Sequence, residues 1–294
     1  MHVKTMFSRG FGKVAGVALT VTALTLALPQ GAAAQAADDP NPGSLTFTGG
    51  LDILPGTAYV FRGITQETDP GLTLWPYGDI GLAMYSGDGT LKSLNVNFGV
   101  WNSLHTGSSG LDGPFEKLHY EEDFYLTFST GFGGGFSLAS TWTAYTSPNA
   151  MFGTTQELSF KASKAFWLNP YGLLAFELSG AADGNDTGTG SYLELGVAPT
   201  WPLMDGKASI AVPVKMGMSI TNYYEDPVTG EESTFGFFDV GALATVPLGS
   251  QPGKFGSWNF HAGIDFLFFG DATETFNNGD ASKVVGLFGI GVTY

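Results

Sequence analysis

The chain has 294 residues, 12 Lys plus Arg against 27 Asp plus Glu, a formal charge of −15, and no cysteine. The acidic balance argues against nucleic acid as a partner, and the absence of cysteine excludes disulfides, a lipid-anchored N-terminus and thiol-based metal or nucleophilic sites. With 43 Gly, 24 Phe and 13% charged residues, the composition leans toward a transmembrane barrel, in which small and aromatic residues alternate, rather than a soluble domain.

At the N-terminus, Lys4, Arg9 and Lys13 precede an apolar run from Val14 to Leu28, and small residues follow at Ala32, Ala34, Ala36 and Ala37. This is the layout of a secretory signal peptide over residues 1–36, cleaved after Ala34 or Ala36. Its removal leaves nine basic against 27 acidic residues, a net charge of −18. A short arm, 37–43, leads into a single domain over 44–294. No later segment reaches the roughly 18 continuous apolar residues of a membrane helix.

From residue 44 onward, apolar and polar residues alternate in about twelve segments, each followed by a turn signal. The predicted strands are 44–64, 72–86, 91–103, 120–132, 135–147, 153–165, 170–181, 191–202, 207–222, 233–247, 257–269 and 283–294. Their connections fall alternately into a short set and a longer, acidic set, the arrangement of a barrel with a turn side and a loop side. The expected fold is therefore all-β: a transmembrane, antiparallel, up-and-down β-barrel of about 12 strands in the cell outer membrane.

A lipid-facing row tolerates no charge near the bilayer midplane, so the charged row of each strand must point inward. That rule places Asp52, Arg62, Asp79, Asp123, Glu157, Lys161, Glu177, Glu194, Lys215, Asp239 and Asp265 in the lumen, eight acids against three bases. Arg62 is read as part of the first strand. Leu94, Val96, Phe98 and Val100 exemplify the lipid side. Glu67 and Glu121 are assigned to an acidic outer rim, and Tyr59, Phe61, Trp75, Tyr145, Trp167, Trp201, Tyr223, Trp258 and Tyr294 to interfacial girdles. The last strand carries Val284, Phe288, Ile290 and Val292 on one face and ends on Tyr294, a partial match to the C-terminal signal read by barrel-assembly machinery. It is expected to zip to the strand carrying Arg62 and so remove the last open edge.

The stretch Ala58 to Gln66, A-Y-V-F-R-G-I-T-Q, resembles the aromatic-x-F-R-G-[IV]-[ST]-Q motif of uncharacterised bacterial outer-membrane and secreted proteins of the Gcw-chp family. Pro76–Leu82, Trp101–His105 and Tyr145–Gln156 are similar to a planctomycete-type version of these barrels. The resemblance implies a barrel fold and an outer-membrane location, and it implies no substrate.

Candidate chemistry is sparse. Ser103 and His105 suggest a lipid-hydrolase-like pair, set against their place at the start of the longest loop and the lack of any surrounding motif. His119 lies beside Glu121, Glu122 and Asp123, and Asp183–Glu194 approaches a calcium-loop pattern without flanking helices. No redox cofactor, nucleotide site or catalytic carboxylate pair stands out, and no cofactor is expected. The functional expectation is a small porin-like channel with an acidic, cation-preferring lumen, passing ions or small solutes. The alternatives are an outer-membrane enzyme and a plugged structural or adhesive barrel. Outer-membrane lipid and glycolipid are the expected surroundings.

Overall fold

The computed structural model describes residues 42–180, 189–253 and 255–294; the predicted signal peptide, most of the arm and the first half of the calcium-loop-like stretch lie outside them. Alternation dictates the wall. The strands are β1 (Leu45–Pro55), β4 (Leu72–Ser86), β5 (Leu91–His105), β6 (His119–Phe132), β7 (Phe136–Thr146), β8 (Thr155–Lys164), β9 (Tyr171–Ser179), β10 (Ser191–Val197) with β11 (Thr200–Leu203), β12 (Ala208–Ala211) with β13 (Val214–Thr221), β14 (Phe235–Gly253), β15 (Gly256–Phe269) and β16 (Ser282–Thr293). Each pairs antiparallel with its neighbour, and β16 pairs with β1 through Leu51↔Ile290 and Ile53↔Phe288, so twelve wall strands close on themselves. The seam is extended at its end, where the Phe47 and Tyr294 backbones exchange hydrogen bonds of 2.7 and 2.8 Å.

Two wall strands are each interrupted by a proline. Pro199 lies between β10 and β11 and Pro213 between β12 and β13, where each removes an N–H from the ladder. The short connections are tight turns, and at the β6–β7 turn Gly134 and Gly135 both take positive φ.

Polarity is inverted relative to a water-soluble core. Phe98, Phe128, Phe160, Phe266, Phe288 and Ile290 are exposed on the outside, while Asp52, Asp123, Glu157 and Glu194 are buried inside. The inner rows are not uniformly polar or small, however, for Trp75, Tyr77, Trp101, Tyr125, Tyr145 and Phe237 are buried there with the charges.

The first strand is the main departure from the sequence expectation. β1 stops at Pro55; Gly56 turns with φ +69°, and the chain leaves the wall. It folds into the lumen as a miniature hairpin of β2 (Val60–Phe61) and β3 (Ile64–Thr65) before rejoining the wall at β4. Arg62 and Gly63 form its two-residue turn with φ of 43° and 83°, the pair of positive values that a type I′ hairpin demands. Arg62 therefore does not lie on the strand that meets β16. Of the expected girdle residues, Trp167, Trp201, Trp258 and Tyr294 are exposed, but Tyr59, Phe61, Trp75, Tyr145 and Tyr223 are buried in the lumen, and Glu67 and Glu121 lie buried with them instead of on the rim.

Candidate functional site

The interior has two halves. Toward the short turns, a cavity of about 250 Å³ is lined by small and amide side chains, including Thr46, Gly81, Asn95, Asn97 and Ser129. Toward the long connections, the hairpin and a set of aromatic side chains fill the lumen.

The hairpin tip is fixed from several directions. Arg62 donates to both carboxylate oxygens of Glu157 on β8, Nη1 to Oε2 at 2.6 Å and Nη2 to Oε1 at 2.9 Å, and Nη1 also donates to the Tyr223 hydroxyl at 2.7 Å. Such a fork is both directional and charge-assisted. The guanidinium carbon stands 4.2 Å from the centroid of Tyr192, which adds a cation–π contact in a desolvated setting. Tyr224 donates to the Arg62 carbonyl at 2.8 Å, while Asn277 donates to the Gly63 carbonyl at 2.7 Å and accepts from the Thr65 amide at 2.8 Å. The left-handed Arg62 backbone, uncommon for a residue with a side chain, is thus held by partners on both its side chain and its carbonyl.

The predicted lumen residues all lie on the inner side of the wall apart from Arg62, which reaches it on the hairpin. Tyrosine hydroxyls serve several of the buried acids. Tyr145 donates to Glu157 at 3.0 Å, Tyr171 and Tyr192 to Glu194 at 2.8 and 2.7 Å, and Tyr59 to Glu121 at 3.0 Å. Asp79 accepts from Asn97 at 2.9 Å, Asp52 meets His261 Nε2 at 2.7 Å, and Lys215 lies 3.3 Å from Asp239. Lys161 sits over the Tyr171 ring at 4.3 Å, and Glu177 accepts from the Gly190 amide at 2.5 Å. Both oxygens of Asp123 are buried without a hydrogen-bond partner among the described residues.

These tyrosines were the residues that charge parity missed. Eight of the chain's 11 are buried, whereas the phenylalanines dominate the outer rows. A phenol combines the bulk that fills a lumen with a donor that satisfies a carboxylate without a counter-charge, as at Glu157, Glu194 and Glu121.

Ser103 and His105 are brought together, but on β5 and wholly buried. Trp75 Nε1, a donor only, donates to Ser103 Oγ at 2.8 Å, and Ser103 Oγ meets His105 Nε2 at 2.5 Å. His105 Nδ1 then donates to Ser109 Oγ at 2.5 Å, and Ser109 donates to Glu67 at 2.6 Å. Ser103 and His105 are both fully buried, and no surface reaches Ser103. Ser109 lies on the one-turn helix α1 (Ser108–Leu111), and Glu67 also takes the Asp69 amide at 2.9 Å, so the chain ties the first long connection to the second. Burial alone would raise the Glu67 carboxyl, but the His105 imidazole 3.6 Å away and hydrogen bonds from Ser109 and the Asp69 amide outweigh it and hold it down at about 2. His119 Nε2 bonds Asn102 at 3.0 Å, and among the described residues no group of three or more His, Cys, Asp or Glu is placed to hold a metal.

No family model and no curated protein matches the chain. Among solved structures, the β domain of the Bordetella autotransporter Brka is similar at 13% identity over 86% of this chain and 99% of that one, with a TM-score of 0.39. The NanC porin is similar at 10% identity over 85% of this chain and 99% of that one, with a TM-score of 0.39. A bacterial polysaccharide outer-membrane secretin is similar at 7% identity over 86% of this chain and 98% of that one, with a TM-score of 0.44. The barrel itself is established by the closed strand pairing described above.

Proposed function

We propose that the chain is an integral outer-membrane β-barrel acting as a cation-preferring channel that its own first long connection holds shut. An apolar exterior around a charged interior supports the membrane setting, since buried acids and exposed phenylalanines are stable together only when lipid surrounds the wall. The long connections are assigned to the outside of the cell and the short turns to the periplasm. The observation that carries the closed state is the Arg62–Glu157 fork, which staples the hairpin across the lumen. The eight acids and three bases on or against the inner wall give the opened lumen its preference for cations.

The Ser103–His105 pair serves in this reading as part of a latch, not as a nucleophile and base, because both side chains are enclosed and bonded to Trp75 and Ser109. Planar-bilayer recording tests the proposal. The intact barrel should be almost silent, and a variant with residues 57–66 replaced by a short Gly-Ser linker should conduct, with a reversal potential that favours cations in a salt gradient. Stable conductance of the intact barrel contradicts the closure, and a silent or anion-selective linker variant contradicts the channel.

A further inference from the structure

Beneath the hairpin, against β14 to β16, lies a cavity of about 40 Å³ whose lining includes Arg62, Trp75, Lys215, Asp239, Asp265 and Leu267. We propose that it is a binding site for one monovalent metal cation, sodium or potassium, held by the carboxylates of Asp239 and Asp265.

Arg62 is engaged by Glu157 on the far side of the hairpin, so the local balance is set by Lys215 against two aspartates. Lys215 Nζ lies 3.3 Å from Asp239 Oδ2, and the other oxygen, Oδ1, is buried with no hydrogen-bond partner although Asp239 is only 4% exposed. Asp265 faces the same cavity from β15, two residues along from Leu267, which pairs with Asp239. The wall makes room for it: a Cβ on Gly241, its direct cross-strand partner, would fall 2.0 Å from Asp265 Oδ1. Two buried carboxylates and one ammonium leave one negative charge uncompensated, which is costly away from water.

The free acceptors are carboxylate oxygens, the ligands of hard alkali or alkaline-earth ions. The neighbouring ammonium, and the lack of a third acidic or imidazole ligand among the described residues, favour one positive charge over two. A water needs roughly 10–15 Å³ of such space, so the cavity accommodates an ion with one or two waters. Arg62 Nε, also buried and unpartnered, lines the same cavity and supplies a donor for such a water. The site needs only the closed barrel, so it stands or falls separately from conductance.

Trp75 lines the cavity and gives the readout. The mature chain, folded in lipid nanodiscs at neutral pH, is titrated with NaCl or KCl against N-methylglucamine chloride at constant ionic strength, and tryptophan fluorescence is followed. A saturable change with sodium or potassium is expected, absent with N-methylglucamine and lost in both Trp75→Phe and Asp265→Asn. Sodium NMR relaxation on the unaltered protein, with potassium as competitor, gives the same answer if a variant fails to fold. An unresponsive protein, meaning that a proton balances the charge, overturns the proposal, as does an Asp265→Asn variant that titrates like the parent.

Discussion

At Arg62 a single side chain connects a backbone turn, the wall strand β8 and the connection before β14. The I′ turn aims the guanidinium away from the wall that its own segment came from, and the fork to Glu157 spans 95 residues of sequence. Removing one partner of a buried, hydrogen-bonded charge pair typically costs about 3–5 kcal/mol, because the other charge is left uncompensated. Glu157→Gln keeps the shape, loses the anion and one of the two carboxylate acceptors, and leaves Arg62 with a neutral amide oxygen and the Tyr223 hydroxyl. The expected outcome is a folded, heat-modifiable barrel whose hairpin is released, seen as protease cleavage near Arg62 in intact vesicles; a hairpin as resistant as that of the parent would show that aromatic packing alone holds it.

At the scale of elements, the connection 56–71 is held at its middle by Arg62 and at its end by Glu67. The Glu67 latch carries a pH dependence whose sign follows from its lowered carboxyl. A group with a depressed folded value stabilises fully above its ordinary range, near 4.5, and loses that contribution as pH falls toward about 2. Acidification across that window should loosen the tie between the first two long connections, and Glu67→Gln should remove the dependence. Tryptophan fluorescence, reporting Trp75 against Ser103, is the measurement, and an identical acid transition in the variant would refute the latch.

Much of this element-scale picture was legible in the sequence, for reasons that also explain what was not. Strict alternation is imposed by the pleat, so the parity that put Asp52, Asp123 and Glu157 inside needed no tertiary information. The same parity was available for Trp75, which is in step with Asp79, and for Tyr145, which pairs directly with Asp123; proximity to a strand end concealed it. The hairpin was masked differently. Residues 58–66 do alternate, but over arms of two residues, and the break at Pro55-Gly56 and the turn at Arg62-Gly63 were its only local marks. That Arg62 would find Glu157, and that tyrosine hydroxyls would serve the acids, depends on contacts across the closed barrel. No window of sequence contains them.

For the whole molecule, wall and plug are distinct in their energetics. The wall closes through continuous ladders and an apolar exterior, whereas the plug is held by a limited set of polar and aromatic contacts to the lumen wall and to the connections before β14 and β16. That separation permits the plug to move while the wall persists, as a gate requires. The central claim is that residues 57–67 rest inside the barrel. Amide hydrogen exchange on the protein in nanodiscs tests it most directly: the Gln66 amide, bonded to the Tyr59 carbonyl at 2.7 Å, and the Thr65 amide, bonded to Asn277, should exchange nearly as slowly as those of β1, and faster once Glu157 is replaced by Gln. Exchange of this segment at the rate of an unstructured loop would contradict the plugged barrel.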